Sequence, residues 1–167
     1  MPENNPEISV ELFEKVALGQ ADAKELLGFD NDDLETIAQL GADLFDQGRY
    51  KEATTIFSGL TALDPDYYKG YAGMGVIALA QEPPMLDDAA AFLEKACSLQ
   101  DSDPSTYSAL GEAYLRLGKY EDAANILQRA MELDPNEEDP GAERARAIVE
   151  GLEELIEVTE SADKATA

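Results

Sequence analysis

The sequence predicts an all-α protein in which three helix–turn–helix repeats stack into a right-handed solenoid. The first observation is that three segments align on a pair made of an apolar residue and a glycine: Leu40-Gly41, Met74-Gly75 and Leu110-Gly111. The second is that the aligned repeats have nearly equal lengths of 34, 36 and 34 residues, over 34–67, 68–103 and 104–137. The third is that small residues recur where two helices of one repeat would cross, at Ala53, Ala89 and Ala123.

Each repeat shows the same internal order of signals. In the first repeat an apolar seam marks the first helix, and its members are Ile37, Leu40, Gly41 and Leu44. Gly48 ends this helix, because a left-handed C-cap suits glycine. Tyr50 begins the second helix, and Asp64-Pro65 closes the repeat. The second repeat has a longer turn with Pro83-Pro84, which predicts an extended loop there.

A period of about 34 residues with two helices per unit is typical of the tetratricopeptide repeat. Units of this kind stack only on their neighbours, and the resulting curved solenoid offers a concave surface for other polypeptides. The sequence therefore predicts binding rather than chemistry as the function.

Further helices are predicted on both sides of the repeats. The N-terminal segment, residues 1–30, contains an apolar helical stripe over residues 6–18 and a short helix over Ala21–Leu27. The acidic run Asp30–Asp33 caps the first helix of the repeat domain (31–137). A calcium loop would need a glycine where Glu35 stands, so capping is the better interpretation. A capping helix is expected over 138–159, and a disordered tail over 160–167.

The composition excludes several classes of protein. The net charge of −24, from 36 acidic and 12 basic side chains, disfavours nucleic acid and membrane surfaces as partners. This charge serves either simple solubility or a basic or aggregation-prone partner. No apolar run reaches the ~18 residues of a membrane helix, and the N-terminus lacks the features of a signal peptide. A single cysteine, Cys97, cannot form an internal disulfide, so a cytoplasmic location is expected.

The residues needed for catalysis are missing. The chain has no histidine, the commonest acid–base group and metal ligand near neutral pH. Cys97 falls among apolar residues on the second helix of its repeat and is interpreted as a packing residue. No glycine loop for phosphate is present. The sequence thus predicts no enzyme activity, no metal and no cofactor.

Helical spacing from the seam predicts which side chains face the concave groove. Their centre is small and apolar, with polar residues at both ends, which suits an extended peptide with aliphatic anchors. The predicted groove residues are Glu35, Ala38, Ala42, Phe45, Lys69, Ala72, Val76, Leu79, Ser105, Ser108, Glu112 and Leu115. The alternative is that the N-terminal segment or a second copy covers them. A clamp for a C-terminal carboxylate is disfavoured, since only Lys69 and Arg116 are basic nearby.

Over residues 20–137 the chain also resembles a known family, the class II chaperones of bacterial type III secretion systems. The residues that carry the resemblance are Leu27-Gly28-Phe29, Leu34-Glu35, Ala38, Leu44-Phe45, Gly48-Arg49-Tyr50, Glu52-Ala53, Phe57, Leu60, Leu63-Asp64-Pro65, Gly73-Met74-Gly75-Val76 and Gln81. The resemblance implies a cytoplasmic protein, often dimeric through its N-terminal segment, that binds an extended translocator motif in its groove. It places Ala38, Ala42, Phe45, Val76 and Leu79 in that groove, with Tyr50 near its edge. The family often carries aromatic residues where Ala38 and Ala42 stand.

Together these observations predict a chaperone that binds an apolar, secreted, translocator-type partner and keeps it soluble in the cytoplasm. The alternative is a scaffold or adaptor for a multiprotein assembly, without protection of a client. In both cases the partner is a protein or an extended peptide segment, and a homodimer through the N-terminal segment is compatible with either.

Overall fold

The structure is a computed structural model that describes residues 15, 18, 23–136 and 138–166, with side chains as far as residue 153. Within these residues the regular elements are all helices. In chain order they are α1 (Ala23–Leu27), α2 (Asn31–Asp46), α3 (Tyr50–Leu63), α4 (Tyr68–Ala80), α5 (Leu86–Leu99), α6 (Pro104–Arg116), α7 (Tyr120–Glu132) and α8 (Pro140–Thr166). No helix of this described part is long and apolar enough to cross a membrane.

The helices pack in the order of the three sequence repeats. Helices α2 and α3 form the first pair, α4 and α5 the second, and α6 and α7 the third. Each pair packs on the next through the second helix of one repeat and the first helix of its successor. The first helices, α2, α4 and α6, also contact one another in sequence. This arrangement confirms the predicted all-α solenoid, and it makes these three helices the framework of its groove.

The recurring glycines allow the two helices of each repeat to approach closely. A Cβ on Gly75 would lie 2.5 Å from Leu93 Cγ, and one on Gly111 would lie 2.5 Å from Leu127 Cδ2. The side chain that faces the glycine therefore fills the space that a Cβ would need. The predicted close crossing at these glycines is confirmed.

Local capping determines where several helices begin and end. Asp33 N donates to Asp30 Oδ1 at 2.9 Å, and Asp30 N donates to Asp33 Oδ2 at 3.0 Å, which closes a reciprocal cap at the start of α2. The capping interpretation of this acidic run is confirmed. Gly48 and Gly118 end α2 and α6 with positive φ angles of 73° and 76°. These are left-handed conformations that glycine adopts without strain.

The expected burial of Leu40 is wrong, because its side chain is 49% exposed. The corresponding residues of the later repeats, Met74 and Leu110, pack against the repeat that precedes them. In the described part of the chain no repeat precedes α2, so Leu40 has no such neighbour. The buried face of α2 consists instead of Leu34, Ala38, Gly41 and Leu44.

The C-terminal helix α8 covers the end of the solenoid. Ala142 and Ala145 are fully buried, and Ile148 and Val149 pack on the cluster that contains Leu127. This helix extends beyond the expected end near Thr159, and residues 160–166 are helical rather than disordered. The segment contains no glycine or proline, and its alanines and lysine favour a helix.

The structure describes only part of the N-terminal segment in which helices are predicted. The predicted helix over 6–18 lies outside the described residues, apart from Lys15 and Leu18. The helix predicted over Ala21–Leu27 is described from Ala23 and ends before Gly28, as expected. An ion pair between Lys24 and Asp64 joins α1 to the end of α3. In the second repeat, α4 ends at Ala80 and α5 begins at Leu86, so Pro83 and Pro84 lie in a loop as predicted.

Candidate functional site

A cavity of about 370 Å³ opens on the first helices of repeats one and two and extends to the start of α6. We call it the groove cavity. The residues that line it are Glu35, Ala38, Gln39, Ala42, Phe45, Phe57, Tyr68, Lys69, Ala72, Gly73, Val76, Asp103, Ser105 and Thr106. Volumes of several hundred cubic ångströms are typical of sites that bind ligands. The cavity is therefore the candidate binding site.

The groove cavity brings together most of the residues that the sequence placed in the first half of the groove. Those residues are Glu35, Ala38, Ala42, Phe45, Lys69, Ala72 and Val76. Tyr50 does not line this cavity. Its ring packs on Phe45, with ring centroids 5.4 Å apart and planes inclined by 37°, and it lines a second cavity of about 520 Å³ beside the α2–α3 turn.

Four of the expected groove residues lie elsewhere, and one of them, Ser108, is fully buried. Leu79 is only 6% exposed and belongs to the core between repeats two and three, so its assignment to the groove surface is wrong. Leu115 packs against the core that α8 completes. Glu112 is half-buried beneath α8, where both Arg116 and Arg144 bind its carboxylate. The third repeat packs over Leu79, and α8 packs over Leu115 and Glu112. These side chains are therefore covered, whereas the corresponding surface of the first two repeats remains an open cavity.

Sequence reasoning missed Phe57, which lies on the second helix of its repeat and not on the first. Its counterparts in the later repeats are Leu93 and Leu127, and each faces the glycine of its own repeat. The larger ring of Phe57 needs a second glycine. A Cβ on Gly73 would lie 2.4 Å from Phe57 Cδ1, so Gly73 leaves space for the ring that lines the cavity. The sequence did contain a signal for this role, because phenylalanine stands at the position where the two later repeats have leucine.

Other residues that were missed come from the ends of helices. Tyr68 begins α4, while Asp103 and Thr106 lie at the start of α6. Asp103 accepts a hydrogen bond from Ser105 N at 3.2 Å and one from Thr106 Oγ1 at 2.5 Å. The sequence identified Asp103 as a helix cap, but the stacking of repeats is what brings this cap to the cavity.

An ion pair joins the first two repeats at the edge of the groove cavity. Lys69 Nζ donates to Glu35 Oε1 at 2.5 Å, and Tyr67 donates its hydroxyl hydrogen to Glu35 Oε2 at 2.9 Å. The hydrogen bond from Lys69 is the main reason why the pKa of Glu35 is lowered. Glu35 therefore remains a carboxylate near neutral pH, and its charge is offset by Lys69.

Tyr68 forms an apolar part of the cavity wall, and nearby carboxylates give this part of the wall a negative electrostatic potential. Burial, together with smaller contributions from the nearby carboxylates of Asp103 and Glu35, raises the pKa of the Tyr68 phenol to about 12. Tyr68 therefore stays neutral, and its side chain presents a ring and a hydroxyl group to the cavity. The negative potential comes chiefly from Asp103, since Glu35 is paired.

The site has the properties of a binding surface. Cys97, the single thiol, belongs to the core between repeats two and three, and burial raises its pKa to about 12. Such a thiol is a poor nucleophile at neutral pH. Within the described residues no group of three or more acidic or cysteine side chains could hold a metal ion.

Comparisons with known proteins agree with this architecture. Two family models, both described as tetratricopeptide repeat, match residues 39–105 and 104–137. The Hsp70-Hsp90 organizing protein of Triticum aestivum is 36% identical over 98 residues, which cover 59% of this chain. The chain spans only 16% of the length of that relative.

Solved structures of secretion-system proteins share the fold. A type III secretion system complex from Aeromonas hydrophila superposes with a TM-score of 0.69 at 22% identity, covering 88% of this chain and 98% of the other. The type III secretion chaperone SycD of Yersinia enterocolitica, in complex with a peptide of the translocator YopD, gives a TM-score of 0.63 at 22% identity, with coverages of 78% and 97%. The repeats, their stacking and the matched models together show that the chain belongs to the tetratricopeptide repeat family.

Proposed function

We propose that the protein is a cytoplasmic chaperone that holds an extended segment of a secreted, translocator-type partner in its groove. The observation that carries this proposal is the groove cavity, whose apolar floor spans two repeats and remains open. Its small side chains leave room for apolar anchors of a bound segment. Burial of those anchors would supply affinity at roughly 25 cal/mol for each Å² removed from water.

The likeness to SycD supports the choice of partner. That structure holds a translocator peptide and has the same fold as this chain. The charge of this protein supports a chaperone role as well, because a net charge of −24 keeps a complex soluble when its client is apolar.

The relative from Triticum aestivum favours a second candidate function. It is an organizing protein for two other proteins by name, so the repeats of this chain could instead connect stable partners in an assembly. The two functions differ in a property of the partner. A chaperone client aggregates when it is produced alone, whereas the partner of a scaffold remains soluble.

A homodimer through the N-terminal end belongs to the same proposal. Three large apolar side chains are exposed toward this end of the described chain: Leu18 at 70%, Leu27 at 52% and Leu40 at 49%. Such side chains are suited to a contact between two copies. Light scattering after size-exclusion chromatography would give the molecular mass of the protein in solution. A monomeric mass at micromolar concentration would contradict the homodimer.

Ala42→Glu tests the chaperone proposal. Ala42 lines the cavity and lies outside the buried core clusters, so a carboxylate there should block an apolar anchor without unfolding the repeats. We expect retention of the native partner to fall at least about tenfold, equivalent to 1.4 kcal/mol. The measurement is capture by the tagged chain from lysate of the native organism, quantified by mass spectrometry.

The matched control is Ala91→Glu, on the exposed face of α5. It adds the same charge away from the groove and should retain the partner. The captured partner is then produced with and without the chaperone. Equal retention by both variants would contradict the groove as binding site, and a partner that is soluble alone would favour the scaffold.

A further inference from the structure

We propose that the groove cavity receives an aromatic side chain of the partner, flanked in the partner sequence by lysine or arginine. This inference rests on the proposed function and narrows it to one chemical class of anchor. It concerns the first two repeats, where the cavity lies, and not the groove as a whole.

The shape of the cavity is the first argument. The first helices of repeats one and two place small side chains around it at Ala38, Ala42 and Ala72, and Gly73 has none. A bulky side chain at any of these positions would fill the space. Because all four are small, the cavity has room for a ring, whereas an aliphatic side chain would leave part of it unfilled. Unfilled space forfeits dispersion contacts with the lining.

The chemistry of the walls is the second argument. Phe45, Phe57 and Tyr68 all line the cavity, so three different helices each contribute an aromatic ring to its wall. The Phe57 ring packs against Gly73, where a Cβ would lie 2.4 Å from Phe57 Cδ1, and the part of the ring that this contact does not cover lines the cavity. Rings attract one another in tilted or offset arrangements beyond the effect of buried area. This preference corresponds to about twofold to tenfold in affinity over an aliphatic anchor.

A comparison within the chain supports this assignment. Phe57 has Leu93 and Leu127 as its counterparts, and each leucine is fully buried against its own glycine. The position of Ala42 is taken by Val76 in the second repeat and by Glu112 in the third. The combination of an aromatic floor and small walls therefore occurs in the first repeat and not in the other two.

The charges around the cavity determine the neighbours of the anchor. Lys69 is paired with Glu35, whereas the partners of the Asp103 carboxylate among the described residues are the neutral donors Ser105 N and Thr106 Oγ1. The local balance of these three charged groups is negative, and the chain as a whole carries −24. A basic residue beside the anchor complements this potential, while an acidic one is repelled.

Short peptides provide a direct test, because the protein contains no tryptophan. Three acetylated Gly/Ser peptides would carry Trp between lysines, Leu between lysines, or Trp between glutamates. Burial of the peptide tryptophan is followed by the blue shift of its emission, and the leucine peptide is measured by competition. We expect the Trp–Lys peptide to bind at least about fivefold more tightly than either of the others at low salt.

A cavity-filling variant shows where the peptide binds. Ala72→Leu should weaken the Trp–Lys peptide at least about tenfold, whereas Ala91→Leu on the exposed face of α5 should not. Circular dichroism checks that both variants keep their helices. Two further pairs, Ala42→Leu and Ala62→Leu, repeat the comparison on α2 and α3, so that the test does not depend on one variant.

The outcomes separate this inference from the proposed function. Equal affinity of the leucine peptide would overturn the aromatic preference and leave groove binding intact. Equal affinity of the glutamate peptide would overturn the basic flank. A blue shift that Ala72→Leu and Ala42→Leu leave unchanged, or no blue shift with any tryptophan peptide, would overturn the anchor site. The chaperone function is decided independently by the retention of the native partner.

Discussion

Leucines at related positions of the first helices have opposite environments in this protein. Leu40 is 49% exposed, whereas Leu110, its counterpart in the third repeat, is 2% exposed. The difference comes from the preceding repeat, which covers Leu110 and has no equivalent before α2 in the described chain. Leu79 is buried for a related reason, since the third repeat packs on it.

Leu79→Asp should destabilise the fold, because it removes apolar contacts and places a carboxylate in the core between repeats two and three. We expect a loss of about 3–5 kcal/mol in the free energy of unfolding. Met85→Asp also replaces a large apolar side chain by a carboxylate, but at a site that is 41% exposed, and should cost less than about 0.5 kcal/mol. Urea unfolding monitored by circular dichroism measures both. Similar stabilities for the two variants would contradict the burial of Leu79.

The sequence was sufficient to predict the role of a residue where that role depends on near neighbours in the chain. The caps at Asp30 and Gly48 depend on neighbours within one or two turns, so residue type and position were sufficient to assign them. Burial of Leu79 depends instead on a helix that lies far away in the chain. The role of Phe57 in the cavity requires Gly73 of the next repeat, which periodicity within one repeat does not reveal.

At the scale of elements, α8 acts as the last layer of the solenoid. Ala145 is fully buried against the third repeat, and Ala147 on the same helix is exposed. Polar contacts add to this packing, because Arg146 Nη2 donates a hydrogen bond to the backbone oxygen of Asp134 at 2.6 Å and Arg144 forms an ion pair with Glu112. Without α8 the apolar face of α6 and α7 would be open to water.

Ala145→Glu should detach α8 from the third repeat, since its carboxylate cannot remain buried without a partner. We expect a loss of about 2–4 kcal/mol and faster hydrogen exchange over residues 140–153. Ala147→Glu serves as the control, with the same charge and helix, and should leave exchange unchanged. Retained protection in Ala145→Glu would show that α8 is held by other contacts.

Prediction of the elements succeeded where repetition or a cap defined the boundaries. The start of α6 follows from Asp103 and Pro104, which are a capping residue and a proline in the first turn. The end of α8 did not follow, because the expected end near Thr159 relied on the apolar stripe. The backbone can continue as a helix beyond that stripe when the residues are good helix formers.

At the scale of the whole molecule, several tyrosine hydroxyls and the thiol of Cys97 stay protonated in the folded state up to a higher pH than is usual for these groups. Burial raises the pKa of Tyr68, Tyr114 and Cys97 to about 12 each, and it also raises the pKa of Tyr67. These groups ionise more readily in the unfolded chain. Their contribution to stability is therefore present below about pH 9–10 and is lost as the pH rises toward 12.

We expect cooperative unfolding between about pH 10 and 12, with the tyrosinate absorbance of these buried phenols appearing together with the loss of helicity. Tyr114→Phe removes one of the ionising groups and should move the midpoint to higher pH. Tyr120→Phe changes a ring that is 70% exposed and should leave the midpoint where it is. Complete ionisation of all tyrosines without loss of helicity would contradict the burial of these phenols.

The architecture of the whole molecule was predictable because one period of about 34 residues specifies both a helix pair and its stacking. The groove cavity was only partly predictable. Helical spacing identified the residues from α2 and α4, including Ala42 and Val76. The contributions of Phe57 and Asp103 come from other faces of the stack, which appear only when the repeats are assembled.

The buried thiol of Cys97 can also report how often the core around it opens to solvent. It lies in the core between repeats two and three, at 9% exposure. A disulfide reagent can attack it only after this core opens, so the rate of labelling measures how often these two repeats separate. Labelling that is slowed by a bound partner would mean that occupation of the groove holds the solenoid together.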